Sequence, residues 1–434
     1  VVPPPPGLPT GARWGLAGLV LGSLAFTVLG SLVPFEFRSR GWADATGSFA
    51  WAMTHRVKVQ SRSDAVANVL LGVPLGFGLL GWVSVDRGGS RRRLALWAAA
   101  LWPACLAVAA AVEFAQLYLP ARTCAGSDVL AQGLGALLGM AAWLAGGQRL
   151  TDEVRQAMAG SGTAVRGLIA YLLLLAFLQA LPLDLSLSPA DAYRKFRDGG
   201  VQLVPLGEFP RLAGPAVWHR LATLTQLAAL YLPVGLLAAQ VPGRFWAGEN
   251  AWLVGLAAVG LALGLELAQV LVQSRSSSAT DVLVGGSAVL IGWRIGRGGN
   301  RGVSWYQGTL LGLVWVAAVV LVGWHPFELG PPVPFDWLPG SPLVAGNPLW
   351  VLDELLTKLV LFGLLGVIVA AVAADQSWRV PAWAALIGLL SATVIEVGQT
   401  RLVGHTPGLT DVLLGGLGAG CGAWTTNRVK GEVR

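Results

Sequence analysis

Twelve long apolar runs decide what this chain can fold into. They lie at about 14–33, 65–85, 94–118, 128–146, 164–182, 219–239, 250–272, 281–297, 305–324, 353–373, 380–400 and 410–427. Each runs for roughly 17–25 residues, the length a bilayer's hydrocarbon core demands of a helix. None alternates polar and apolar residues in the manner of a barrel strand, so helices are the expected spanning element. Charge is scarce: 54% of the 434 residues are hydrophobic, 12% are charged and the mean hydropathy is +0.63. A soluble domain carries about 25% charged residues. The expected fold is therefore an all-α integral membrane protein. Its 19 Trp and 58 Gly suit that class, because Trp anchors at membrane interfaces and Gly lets helices approach closely.

A polar signature recurs between these runs. Glu113, Gln116, Arg122 and Asp128 join the third run to the fourth. Glu266, Gln269, Arg275 and Asp281 repeat the spacing, as do Glu396, Gln399, His405 and Asp411, with His in the Arg position. Three matches at one spacing, each between two apolar runs, indicate an internal repeat. The runs then group as three parallel four-helix repeats over 14–147, 164–298 and 305–427. A Pro-rich lead (1–13) and a basic tail (428–434) flank them. In each repeat the first helix ends in Pro, an apolar residue and an acid: Pro34-Phe35-Glu36, Pro182-Leu183-Asp184 and Pro326-Phe327-Glu328. A long loop and a second helix follow. The third helix ends in Glu-x-x-Gln. The fourth opens on Ser127-Asp128, Thr280-Asp281 or Thr410-Asp411, which is N-capping chemistry.

Orientation follows from Lys and Arg. Arg13, Arg87, Arg91–Arg93, Arg149, Arg155, Arg244, Arg297 and Arg379 lie on the side of the N-terminus. The short loops opposite hold only Arg122, Arg275 and Arg401. Positive residues stay cytoplasmic, so both termini are expected inside the bacterial inner membrane and the three motifs outside. Two long outer loops are themselves basic, through Arg38 and Arg40 and through Arg194 and Lys195. The net charge of +7 thus reports topology and lipid contact rather than a nucleic-acid partner. The first apolar run passes for a full span, so no cleavable signal peptide stands out. The chain begins with Val rather than Met, which leaves room for residues upstream.

Glu113 and Gln116 share a helix face. A carboxylate near a membrane interface wants a cation or donors. Arg122 could bridge Glu113 and Asp128 from adjacent helices. Asp64 and Asn68, one turn apart on the second helix, and Gln132, four past Asp128, complete the richest set. The second repeat has Thr223 and Leu227 where Asp64 and Asn68 stand, with Arg220 and Gln226 nearby. The third keeps the acid as Asp353, sets Thr357 or Lys358 near the Asn position and carries His405, whose charge depends on pH. The same clusters would equally serve to staple two helices and their loop. His55, His219, His325 and His405 show no metal-ligand spacing. HExxH, paired CxxC, Walker and nucleophile-elbow motifs are missing, so no metal or cofactor is expected. Cys105, Cys124 and Cys421 offer no disulfide framework.

The order Asp64-x3-Asn68, Pro74-x-Gly76, Glu113-x2-Gln116, Arg122, Asp128-x3-Gln132-x2-Gly135-x3-Gly139 resembles the VanZ-like family. That family's pattern has Asn where Gln132 stands. The second repeat lacks the Asp/Asn pair and the third lacks the Arg. Members of the family are small helical membrane proteins named for one that gives low-level teicoplanin resistance. The resemblance implies a cell-envelope role for three tandem copies of a unit usually found once. The expected function is binding of a lipid-linked or glycopeptide ligand at the outward polar cluster, among membrane lipids. An enzyme acting on a lipid-linked envelope substrate, with Glu113 or Asp64 as acid or base, is one alternative. A lipid or solute translocator is another, though no continuous polar line crosses the apolar helix middles, such as 256–263.

Overall fold

The computed structural model describes residues 11–32, 36–55, 62–87, 90–120, 122–158, 162–181, 189–241, 251–299, 303–342, 348–373, 377 and 379–433. The expected Pro34-Phe35 and Pro182-Leu183-Asp184 helix ends, and most of the Pro-rich lead, lie outside them. The chain divides into two compact units, one carrying the first motif and the other carrying the second and third.

All twelve apolar runs become helices. The first unit contains α1 (Gly11–Leu32), α2 (Trp42–His55), α3 (Arg62–Ser84), α4 (Arg91–Gln116) and α5 (Gly126–Ala142). A π-turn (Trp143–Gly147) carries α5 into the polar helix α6 (Gln148–Met158). The second unit contains α7 (Thr163–Ala180), α8 (Pro189–Arg197), α9 (Pro215–Ala238), α10 (Ala251–Gln269) and α11 (Ala279–Gly299). It continues with α12 (Trp305–Trp324), α13 (Pro348–Val372), α14 (Arg379–Gln399) and α15 (Leu409–Val433). A two-residue parallel pairing of β1 (Val201–Gln202) with β2 (Ser277–Ser278) is the only named sheet among the described residues.

The architecture is an all-α multi-pass membrane protein. Ten helices among the described residues are long and apolar enough to cross a bilayer, rather than the twelve expected. The other two, α11 and α15, have 21 and 25 residues and fall short in composition. Both are rich in Gly and carry Asp281, Arg294 and Arg297, or Asp411, Asn427 and Arg428. These Gly-rich helices pack centrally, with Ala419 and Ala423 wholly buried. Leu134, Leu256, Leu313 and Leu390 instead lie exposed on their helices. An apolar exterior is what lipid requires of a spanning bundle.

Close backbone approach sets the packing of α3 on α5. A Cβ at Gly135 or Gly139 would collide with the Val69 or Val73 carbonyl. Leu75, Leu80, Cys105, Met140 and Trp143 fill the core of this unit. At the end away from the motif, Asp86 accepts from Arg155 at 2.6 Å. That guanidinium holds the Asp86 carboxyl below the usual range, against the upward pull of burial. In the second unit Trp315, Val319, Leu361, Phe362, Ala392 and Ile395 form the corresponding core.

The long loops are not plain coil. The first carries α2 and the second carries α8. The third stays irregular and pairs with the third motif's loop through bridges Leu329–Leu402 and Asp336–Gly408.

Candidate ligand-binding site

Each motif begins where a helix must stop and turn. A helix leaves its last carbonyls without intrahelical donors and the next helix leaves its first N–H groups without acceptors. The motif Glu serves the second need. Glu113 Oε2 accepts from Ala125 N–H at 2.8 Å, Glu266 Oε2 from Ser278 N–H at 3.1 Å, and Glu396 Oε2 from Gly408 N–H at 2.9 Å. In each case the donor lies twelve residues on and directly precedes the next helix. All three carboxylates are buried, at 2%, 4% and 3% exposure, so these bonds are shielded from water.

The free carbonyls at the preceding helix end are met as well. Arg40 donates to Leu117 O at 3.3 Å, and Lys195 to Gln269 O and Val272 O at 2.7 Å each. Val333 N–H donates to Thr400 O at 2.9 Å. Cations at helix C-termini also complement the macrodipole. The basic character of the first two long loops, which runs against the charge rule for the expected topology, thus has a local cause.

The motif Gln ties each helix to the first helix of its set. Gln269 donates to Gln179 Oε1 at 3.1 Å and Gln399 to Gly323 O at 2.7 Å. In one amide orientation Gln116 donates to Ser31 O at 3.3 Å. In the other it donates to the Glu113 carboxylate oxygens at 3.2 and 3.3 Å. Gln179 and Gly323 each lie three residues before the Pro that ends their helix, and Ser31 stands three before Pro34.

The expected Arg bridge between Glu and Asp is not how the second motif pairs its charges. Arg275 turns to Leu181 O at 3.0 Å and to Asp353 at 2.8 Å. Asp281 takes Arg220 at 2.7 Å, and Arg220 also holds Glu208 at 2.8 Å. In the third motif, Asp411 takes Lys358 at 2.5 Å, and Lys358 also reaches Glu354 at 2.9 Å. His405 Nε2 meets His325 O at 2.8 Å, the counterpart of the Arg275 contact to Leu181. Burial lowers the His405 pKa from 6.5, despite the carbonyl that favours its charged form.

In the first motif Arg122 is exposed in the loop, Asp64 is exposed at the start of α3, and Asp128 accepts from Ser127 at 3.2 Å. Gln132 donates to Asn68 at 3.0 Å. The three motif Asp residues sit in the first turn of α5, α11 and α15 rather than at the N-cap, because those helices begin two residues earlier. Ala125, with no capping side chain, is the N-cap of α5. Glu113 from the previous helix holds the N–H of that N-cap residue.

A cavity of about 860 Å³ opens on the third motif. Glu396, Gln399, His405 and Asp411 line it together with Asp353 and Lys358. The motif thus meets the second-helix acid in one space. His219 and His325 join His405 on the wall, with 3.4 Å between His219 Nδ1 and His325 Nε2. Val319, Val322, Leu361, Phe362, Ile395 and Trp350 give the cavity an apolar side. The i,i+4 pair Glu354–Lys358 was legible in the sequence. Glu208 and the two additional histidines carry no motif that would single them out.

Residues 16–146 match the VanZ/LLP1 family model. That match spans α1 to α5, including Asp64, Asn68, Glu113, Gln116, Arg122, Asp128 and Gln132. No curated protein and no solved structure matches the chain.

Proposed function

We propose that the protein is a VanZ-like cell-envelope membrane protein that binds the polar part of an amphiphilic ligand, lipid-linked or glycopeptide, and so contributes to glycopeptide (teicoplanin) resistance. The observation that carries this reading is the cavity on the third motif, where ionisable groups from α9, α13, α14, α15, His325 and the 400–408 loop face an apolar wall. Its volume of about 860 Å³ lies within the range of small-molecule sites, roughly 300–1,000 Å³. An amphiphile's head would meet the polar side and its hydrocarbon body the Phe362 side.

In this reading the chain is three tandem copies of one four-helix unit. Support comes from the identical Glu-to-backbone bond at twelve residues' spacing in all three motifs. Both termini are cytoplasmic and the motifs face outward, in line with the distribution of Arg and Lys. The first and second copies hold the frame, and the third holds the ligand.

The test is expression in a glycopeptide-sensitive host of wild-type protein, Glu396→Ala with Lys358→Ala, and Glu113→Ala with Arg122→Ala. Wild type should raise the teicoplanin concentration needed to stop growth, and the third-motif variant should abolish that rise. Unchanged sensitivity with wild-type protein present in the membrane removes the resistance reading.

A further inference from the structure

The charge inventory of the cavity is one-sided. Its carboxylates are Asp353, Glu354, Glu396 and Asp411, and its one Lys is already committed to Asp411 and Glu354. Arg275, which reaches Asp353, is committed to that carboxylate and to the Leu181 carbonyl. The Gln399 amide donates to Gly323 O. Thr223, Gln226, Thr357, Thr406 and the three histidines add donors to the wall, but its charge is uneven, with four carboxylates against Lys358 and, at Asp353, Arg275. Glu396 is 3% exposed and spends Oε2 on Gly408. Among the described residues no donor reaches its Oε1, and none reaches the Oε1 of Gln399, itself 6% exposed. An ionised carboxylate has about four lone-pair sites to fill.

Such a wall suits a group that is positively charged and donates hydrogen bonds. A primary ammonium has three N–H donors, no acceptor and a positive charge. An anionic head group would face four carboxylates and cations that are already engaged.

We infer that this cavity binds the primary ammonium group of an amphiphile, held by Glu396 and Gln399 with its hydrocarbon body along Phe362 and Ile395. The inference rests on the reading of the cavity as the ligand site and specifies the chemistry of the head group. The ammonium could belong to an aminophospholipid or to a water-soluble amine.

The experiment uses the full chain in detergent micelles, with binding read by native mass spectrometry. The probes are phosphatidylethanolamine, phosphatidylcholine, phosphatidylglycerol and free ethanolamine. Phosphatidylethanolamine should bind about tenfold tighter than phosphatidylcholine or phosphatidylglycerol, because charge-assisted N–H donors are available only from it. Glu396→Gln should weaken it by about tenfold. Glu354→Gln, at a carboxylate that is 62% exposed and so tolerant of change, should weaken it less and covers the case in which Glu396→Gln does not fold. Competition by ethanolamine would show that the amine suffices, and retention only with the acyl chains would assign the site to the bilayer lipid. Equal or tighter binding of phosphatidylglycerol or phosphatidylcholine overturns the ammonium inference. It leaves the cavity reading intact if the bound lipid is lost in Phe362→Trp, which fills the space. Lipid retention that Phe362→Trp does not change overturns the cavity reading as well.

Discussion

The first and third motifs share a skeleton and differ in what surrounds it. In both, a buried Glu secures the residue ahead of the next helix and a Gln stands three residues later; Gln399 donates to Gly323 O, and Gln116 to Ser31 O or to Glu113 according to its amide orientation. Around the first motif the polar groups satisfy one another: Gln132 meets Asn68 and Ser127 meets Asp128. Around the third, Lys358 arrives from α13 to pair with Asp411, and the groups border a cavity. The skeleton is therefore a device for closing a tight turn between helices at a membrane interface. A site arises only where neighbouring helices stand back and leave acceptors unspent. The motif that opens on the described cavity is thus one that departs from the family pattern, with His405 in the Arg position.

The strongest test of that division is removal of the Glu itself. Glu113→Ala, Glu266→Ala and Glu396→Ala each leave a buried N–H without an acceptor. Each should cost about 2–3 kcal/mol, read as unfolding in micelles. Only Glu396→Ala should also lose ligand retention, and equal loss in Glu113→Ala would end the distinction between frame and site.

Next in size is the cation. Lys358→Ala strips Asp411 and Glu354 of their partner in a mostly buried setting and should destabilise by about 2–3 kcal/mol. Arg122→Ala, at an exposed loop position, should stay within about 1 kcal/mol by the same measurement. A Lys358→Ala protein as stable as wild type would mean that the third motif does not depend on its interhelical pair.

A double-mutant cycle on Arg275 and Asp353 should give a coupling of about 1–2 kcal/mol. A coupling near zero would make the link between α13 and the second motif's loop incidental.

The smallest effect concerns pH. His405 has a folded pKa below its ordinary 6.5. Its neutral form therefore adds stability above pH 6.5, and that contribution fades as pH falls through the lower folded value. Hydrogen exchange of loop 400–408 should accelerate on acidification, and His405→Gln should remove that part of the response. Unchanged acceleration in His405→Gln would assign the effect to other groups.

Much of the scaffold was legible in advance. Run length and hydropathy implied helices at all twelve positions, since a bilayer leaves few other ways to satisfy a backbone. The Gly rows of α5 announced close packing, and Glu-x-x-Gln with its Asp marked the helix junctions. α2 and α8 escaped notice because helices of 14 and 9 residues are too short to show a long apolar run. The Arg bridge was misread in the second motif for a related reason. Nothing local distinguishes an Arg that turns back to its own Glu from one that reaches another helix.

By itself, the sequence determined which segments form long helices and where each motif Glu can act, because both depend on local periodicity and on a fixed spacing along one turn. Only the tertiary structure decided the pairing of charges and the position of the cavity. Arg220 and Asp281 are 61 residues apart, Lys358 and Asp411 are 53, and Arg275 and Asp353 are 78. Coulomb attraction and desolvation depend on distance in space, and that distance is set by how whole helices pack.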